Sequence, residues 1–463
     1  MRPHAGVNRA THRLLLISYH FLPGQAAGAL RWQKLAGYAA ERGWGLDVIT
    51  LEPEQPSELP AGTRVYGVPQ SKVFLERLEH FAALGLRALR PRQRNGNGNG
   101  SAPQGAVRGT QSTADKEPGA THRAFNAWLE YSRDLGWARS AAAVGCQLVA
   151  GDSYSAVISC GPPHMAHWAG RLLAERTGLP FIMDLRDPWS LVERLAGHIE
   201  SPLWHRLARR YERPAVARAS LIAMNTEPAR QAMARAYPEA ADRIITVTNG
   251  FDEDEVVSSR PAAGRFTVLF AGSVYLDRNP RLLLQAAAIA INDLQLTPED
   301  FRIEFIGHLG DADIGAMAHD EGMEAFVGVS GFRPRRELRE LLTKATLLVS
   351  LNQDSNMAIP SKIFEYMQYP AWLVALAEKG TATELLLRGT SADVVPPADT
   401  AALAEVLRRR YLQHAAGARP DRLTGDPRFS RRTQATLLFD RLEQVAAQPT
   451  ANRVDAVLTG GVR

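Results

Sequence analysis

The sequence has only two cysteines in 463 residues, Cys146 and Cys160. Both sit in apolar surroundings, with neither a disulfide framework nor a metal-ligand spacing, so they read as small buried side chains in a reducing compartment. The sequence also lacks any apolar run of about 18 residues, so no membrane-spanning helix is expected. The nearest candidate, Ala138 to Ala150, is 13 residues long and contains Arg139, which reads as a buried helix. Met1 to Arg13 is polar and has none of the apolar character of a secretory signal. Lysine is scarce too: the net charge of +5 is carried almost wholly by arginine. No basic stripe interleaved with aromatics accompanies it, which argues against a nucleic-acid groove. These absences point to a cytoplasmic protein, and the positive charge is compatible with peripheral contact to an anionic membrane face.

What is present is a globular composition, 45% hydrophobic and 22% charged, in a chain long enough for two cores of about 200 residues each. Arg13 to Ser18 is a short apolar run of the kind found in buried parallel strands. It is followed by the loop Pro23 to Gly28, a helical pattern from Ala29 to Arg42, and a strand at Gly45 to Thr50. Residues 52 to about 122 break this alternation: Phe74 to Leu89 has a basic amphipathic pattern, and Asn95 to Gly119 reads as a flexible insertion. Order resumes with a helix over Phe125 to Val149 and strands at Ser155–Ser159, Pro180–Asp184, Ser220–Met224 and Ile244–Thr248, with helices from Trp189 on to Arg218. Arg260 to Gly264 reads as a linker. A second series then begins with the strand Thr267–Ala271 and continues through strands near 302, 327, 347 and 372, each followed or preceded by a helix, including Ser361–Tyr369. Phe429 to Ala447 is a last helix. The pattern predicts an α/β chain of two Rossmann-like, doubly wound domains facing across a cleft. The first spans 1–258, with a flexible insertion at about 90–122, and the second 259–428. Residues 429–463 form a helix returning to the first domain and a tail.

Ligands of open α/β sheets sit outside the carboxyl ends of the strands, and three strings lie at such ends. In the first, Asn356 to Tyr366, Ser361 is placed to cap a helix whose free N–H groups favour an anion, and Lys362 adds positive charge. Glu365 shares a helix face with both and is placed to accept from ribose hydroxyls. In the second, Phe270 to Pro280, Gly272 permits close backbone approach after a strand, Asn279 and Pro280 open a helix, and Arg278 is placed for bidentate contact with a diphosphate. In the third, Gly161-Pro162-Pro163-His164 and Arg186-Asp187-Pro188 end two strands, so that His164, Arg186 and Asp187 can orient an acceptor hydroxyl and take its proton. His167, one turn beyond His164, reads as a packing residue. Asp252-Glu253-Asp254 reads as an acidic turn and not a metal site. Gly24 to Gly28 lacks the spacing of a dinucleotide fingerprint.

Together these strings resemble the retaining glycosyltransferases of family 4, with the GT-B fold, and in particular their bacterial polysaccharide-biosynthesis subgroup. That subgroup carries strings similar to Ser159–His164, Asp184–Trp189 and Pro360–Tyr366. The resemblance implies a nucleotide-diphosphate-sugar donor and a glycan or lipid-linked acceptor, with no metal or other cofactor required. It places Glu365 on the donor ribose, and the backbone of Ser361, Lys362 and Ile363 on the diphosphate beside Arg278 and Gly272. Asn356 belongs to the same donor segment, Gly28 and Arg31 to an N-terminal loop flanking donor and acceptor, and Arg186 and Asp187 to the surroundings of the transferred sugar. Two positions depart from the pattern: Met357 stands where the family's Glu-x7-Glu element has its first Glu, and Pro370-Ala371-Trp372 where it has Gly-x-Pro. A GT-B-type nucleotide-sugar epimerase and a catalytically degenerate assembly partner are the alternative readings.

Overall fold

The computed structural model describes residues 12–21, 29–52, 59–70, 119–257, 264–274, 279–310, 312–351 and 355–447. The pattern predicted for 74–89 and all but the last residue of that for 95–119 lie outside these residues, as does most of the linker at 260–264.

The first domain runs β1 (His12–Ser18), α1 (Leu30–Glu41), β2 (Trp44–Leu51), β3 (Thr63–Val68), α2 (Ala120–Gly151), β4 (Ala156–Gly161), α3 (Met165–Thr177), β5 (Phe181–Leu185), α4 (Pro202–Arg218), β6 (Leu221–Met224), α5 (Glu227–Ala236) and β7 (Ile244–Thr246). Its seven strands lie in the order β3-β2-β1-β4-β5-β6-β7, all parallel. Along β1 the side chains alternate between two covered faces. Leu15 and Ile17 join the layer formed with α2, α3 and α4, whereas Leu14 and Leu16 join the layer formed with α1. Burial on both faces is why the strand reads as an unbroken apolar run.

The second domain runs β8 (Phe266–Ala271), α6 (Arg281–Leu294), β9 (Phe301–Ile306), α7 (Ile314–Asp320), β10 (Val327–Ser330), α8 (Arg335–Lys344), β11 (Leu347–Leu351), α9 (Ser361–Tyr366), β12 (Trp372–Leu376), α10 (Ala382–Leu387), β13 (Asp393–Val395) and α11 (Thr400–Ala415). Its strand order, β10-β9-β8-β11-β12-β13, repeats the doubly wound order of the first sheet. The order reverses between β1 and β4 in one sheet and between β8 and β11 in the other. The strings singled out in the sequence flank these two switch points.

Helix α12 (Arg431–Ala447) packs Ala435, Leu438, Phe439 and Leu442 against Leu14, Trp32 and Val48 of the first domain. The two chain crossings between the domains therefore run side by side. The Phe251 N–H donates to Phe429 O at 2.8 Å, and the Arg431 N–H donates to Phe251 O at 2.9 Å. Gly250 allows this contact, because a Cβ there would lie 2.4 Å from the Arg431 nitrogen.

Three local expectations are corrected. Strand β3 lies inside the stretch where the sequence breaks pattern; it is an edge strand whose residues are mostly half-exposed or exposed. Arg64 on β3 pairs with the fully buried Asp47 on β2, with Nε donating to Oδ1 at 2.8 Å. Residues 187–201 form turns rather than helix, and α4 starts only where the Ser201 hydroxyl accepts from the Trp204 N–H at 3.3 Å. Helix α9 ends at Tyr366 instead of Tyr369. Ahead of Pro370 the chain tightens, with Gln368 and Tyr369 donating back three residues at 3.1 Å.

Candidate active site

The first wall of the cleft is built at the ends of β4 and β5. The Arg186 N–H donates to Gly161 O at 3.1 Å, and its guanidinium bonds the carbonyls of Gly161 (3.2 Å) and Pro162. Arg186 is thus turned toward backbone carbonyls and holds the Gly161–His164 turn in place. Beyond it, Trp189 is 1% exposed, donates its indole N–H to the Tyr131 hydroxyl at 3.0 Å, and stacks on His164 with ring centroids 5.5 Å apart. The next residue is fixed from behind: the Ser190 N–H donates to Glu212 at 3.2 Å, and Glu212 also accepts from Tyr237 at 2.8 Å.

Of these residues Tyr131, Pro162, His164 and Trp189 line a cavity of about 640 Å³ between the domains. His164 and Asp187 both face it, as do Glu130, Tyr131 and Asp134 of α2. Burial pushes the His164 pKa well below the usual histidine value, helped by His167 and Arg186, so the ring is neutral. Burial raises the Asp187 pKa against the opposing charge of Arg186. Asp134 is pushed up to about 7 by burial and by the charge of Glu130, and Glu130 is itself raised by burial. His167 is a packing residue, fully buried, with Nδ1 2.8 Å from the Ser159 hydroxyl and its pKa lowered by burial to about 3.

The second wall is the segment from Ser355 to Pro360 and helix α9. Ser355, Met357, Ala358, Ile359 and Pro360 line the cavity opposite His164 and Asp187. Tyr366 fixes the helix to the end of β8: its buried hydroxyl donates to Ala271 O at 3.0 Å and accepts from the Ala271 N–H at 2.9 Å. Next to that strand end, Gly307 (φ +131°) lies so close to Gly272 that a Cβ would come within 2.1 Å of the Gly272 carbonyl oxygen. Glu193 of the first domain reaches across the cleft and accepts from the Ser355 hydroxyl (2.8 Å) and the N–H groups of Asn356 (2.7 Å) and Met357 (3.2 Å). The Thr226 hydroxyl donates to Met357 O at 2.6 Å.

The residues expected to bind donor are only partly gathered. Lys362 and Glu365 pair with each other at 2.7 Å beside the cavity rather than in its wall. Asn356 is exposed and offers its backbone to Glu193 and Ala382. Ser361 does not cap α9: it is the first helical residue, Pro360 occupies the cap position, and no side chain caps the helix. The Ile363 side chain is fully buried, and its N–H donates to Pro360 O at 3.0 Å. Gly28 and Arg278 lie outside the described residues. Arg31 is corrected most: it is 5% exposed and pairs with the fully buried Asp184 through Nε and Nη2, both at 2.9 Å. Its remaining bonds go to Val247 O, Thr248 O and Asn249, so its donors are committed inside the first domain. Two members of the acidic run Asp252–Glu255 are likewise tied up, Asp252 with Arg431 at 2.6 Å and Glu255 with Lys34 and Arg335 at 2.7 Å. Among the described residues no group of three or more His, Cys, Asp or Glu could hold a metal ion, and no helix is long and apolar enough to cross a membrane.

Sequence reasoning missed Glu130, Tyr131, Asp134, Glu193 and Thr226. The one signal present was the spacing of Glu130 and Asp134, which puts two carboxylates on one helix face.

Residues 265–412 match the family described as glycosyl transferases group 1. No curated protein matches the chain. Solved structures match almost its whole length. A sucrose-phosphate synthase from Thermosynechococcus elongatus is 15% identical with a TM-score of 0.60, over 94% of this chain and 99% of that one. A glycosyltransferase from Rickettsia africae is 11% identical with a TM-score of 0.57, over 95% and 99%. TarM is 10% identical with a TM-score of 0.61, over 96% and 100%. At these identities the likeness is one of fold, and the fold is GT-B: two Rossmann-like domains about a cleft.

Proposed function

We propose that this protein transfers a sugar from a nucleotide-diphosphate-sugar donor to a hydroxyl of a glycan or lipid-linked glycan, with retention, in bacterial polysaccharide biosynthesis. The family match to residues 265–412, the domain that carries the donor segment, supports the transferase part of this reading. Family 4 membership and retention rest on the sequence resemblance alone. The observation that carries the proposal is that residues far apart in the chain, Pro162–Met165, Asp187–Trp189, and Ser355 with Met357–Pro360, line a single cavity between two sheets. A nucleotide sugar needs only the second wall. Room on the first, beside His164 and Asp187, suits a second substrate and favours transfer over epimerisation.

In this reading the donor diphosphate lies at the start of α9, with Lys362 released from Glu365 to meet its charge and Glu365 turned to the ribose. The C1–phosphate oxygen bond breaks, the acceptor oxygen bonds to C1 from the same face, and the departing diphosphate carries away the electron pair. Asp187, whose pKa burial raises, is better suited than His164, whose pKa burial lowers, to receive the acceptor proton. The neutral His164 ring orients the hydroxyl. Lys362 stabilises charge as it develops, an electrostatic role that often dominates such catalysis. Catalysis by this route takes place in the cytoplasm, with peripheral contact to a membrane when the acceptor is lipid-linked. Calorimetry with a panel of nucleoside diphosphates tests the donor half: Glu365→Ala should weaken binding at least tenfold, and unchanged affinity would remove this donor site.

A further inference from the structure

The first-domain side of the cavity has a chemistry that the donor reading does not use. Four carboxyl groups line it, those of Glu130, Asp134, Asp187 and Glu193, against one permanent cation among the described lining residues, Arg194. Glu193 spends its carboxylate on the opposite wall, whereas Glu130 and Asp134 stand one helical turn apart on α2. Aromatic side chains interleave with them: Tyr131 and Trp204 are 6% and 5% exposed and line the same cavity. The Nδ1 atom of the His164 ring is buried without a hydrogen-bond partner. At about 640 Å³ the space lies within the range of roughly 300–1,000 Å³ typical of small-molecule sites.

We infer that this half of the cavity is the acceptor subsite and that it takes an uncharged sugar ring, with Glu130 and Asp134 binding its hydroxyls and rejecting phosphorylated acceptors. The inference rests on the transfer reading above and names the acceptor class for the same site. Carboxyl oxygens accept from sugar hydroxyls in either protonation state, and aromatic walls suit the apolar face of a pyranose ring. Among the described lining residues a phosphate meets no cluster of donors: Arg194 is the one permanent cation, and the nearby Arg186 is turned to the carbonyls of Gly161 and Pro162. In a partly desolvated cavity its negative charge meets those of the carboxyl groups that are ionised, Asp134 among them above about pH 7, at short range, where like charges are poorly screened.

The test uses the full-length protein and saturation-transfer NMR with methyl glucoside and glucose 6-phosphate as probes, alongside calorimetry with nucleoside diphosphates. The neutral glycoside should bind at least tenfold more tightly than the phosphate, a difference of about 1.4 kcal/mol. Glu130→Gln and Asp134→Asn, each isosteric and each verified by its melting temperature, should shrink that ratio to about threefold or less. Equal binding of the two probes, or binding of neither, overturns the inference. If nucleotides bind but the probes are not distinguished, the acceptor class fails and the transfer reading stands. If the probes are distinguished but no nucleoside diphosphate binds, the transfer reading fails and the cavity stands as a carbohydrate site.

Discussion

On the second-domain wall of the cleft, Lys362 and Glu365 are about one-third exposed and neutralise each other at 2.7 Å. On the first-domain wall, Glu130, Asp134 and Asp187 line a cavity and burial pushes all three carboxyl groups up in pKa. One wall keeps a ready-made ion pair in water, which a charged ligand can open at little cost because exposed pairs contribute only about 0–1 kcal/mol. The other keeps polar groups partly dehydrated, where a hydrogen bond to a ligand counts for more and an extra negative charge is unwelcome. The contrast suits a donor whose diphosphate is the most charged part of the reaction and an acceptor that brings none.

The sharpest way to break this contrast is to change the proposed chemical group without touching the donor wall. Asp187→Asn should lower kcat by about 10²–10⁴, the usual contribution of a positioned general base, and leave nucleoside diphosphate affinity unchanged. Steady-state rates paired with calorimetry separate the two. A parallel loss of nucleotide binding would mean that Asp187 serves the donor side.

The next effect is on stability. Arg31→Met leaves Asp184 fully buried, with the Trp32 indole (2.7 Å) as its remaining side-chain donor of those seen bonded to it. Removing one partner of a buried pair costs about 3–5 kcal/mol, to be read from urea unfolding. Lys362→Met, which breaks an exposed pair, should change stability by less than about 0.5 kcal/mol. If the two cost the same, Arg31 is not the internal tie that its geometry describes.

That pair of variants also marks where the sequence was legible. The alternation of strands and helices could be read because buried parallel strands are contiguous apolar runs and both faces of β1 are covered. The strings Gly161–His164, Arg186–Pro188 and Asn356–Tyr366 could be placed because they follow strands. Arg31 was misread because it follows a loop of small residues, and nothing local reveals a partner 153 residues away in Asp184. Strand β3 was missed because an edge strand keeps half its side chains wet. Glu193 and Thr226 meet the 355–357 segment across more than 130 residues of chain, a contact that only the relative position of the domains creates.

Glu193 itself offers a smaller effect that sharpens the comparison. Its carboxylate is the exposed link between the walls, so Glu193→Ala removes three hydrogen bonds from Ser355, Asn356 and Met357. Discounted for solvent, the loss should favour an opened cleft by about 1–2 kcal/mol. Small-angle scattering should then report a larger radius of gyration without nucleotide. An unchanged radius would assign closure to the paired chain crossings at Phe251 and Phe429 instead.

The last test is a pH slope set by a carboxyl group of the first domain. Asp134 is raised from its ordinary value of 3.8 to about 7, chiefly by burial and then by the charge of Glu130. The folded protein therefore keeps this proton over a range in which the unfolded chain has already lost it. Below about pH 4 both states are protonated and the group's favourable contribution is fully present. Between about 4 and 7 the unfolded state binds fewer protons, so stability falls as pH rises, and above about 7 the loss is complete. Denaturant midpoints of the wild type and Asp134→Asn, taken from pH 4 to pH 8, should converge at the acid end and separate toward neutrality, with the variant the more stable there. A variant that tracks the wild type across the whole range would mean that Asp134 is ionised in the folded cavity and that burial does not hold its proton there.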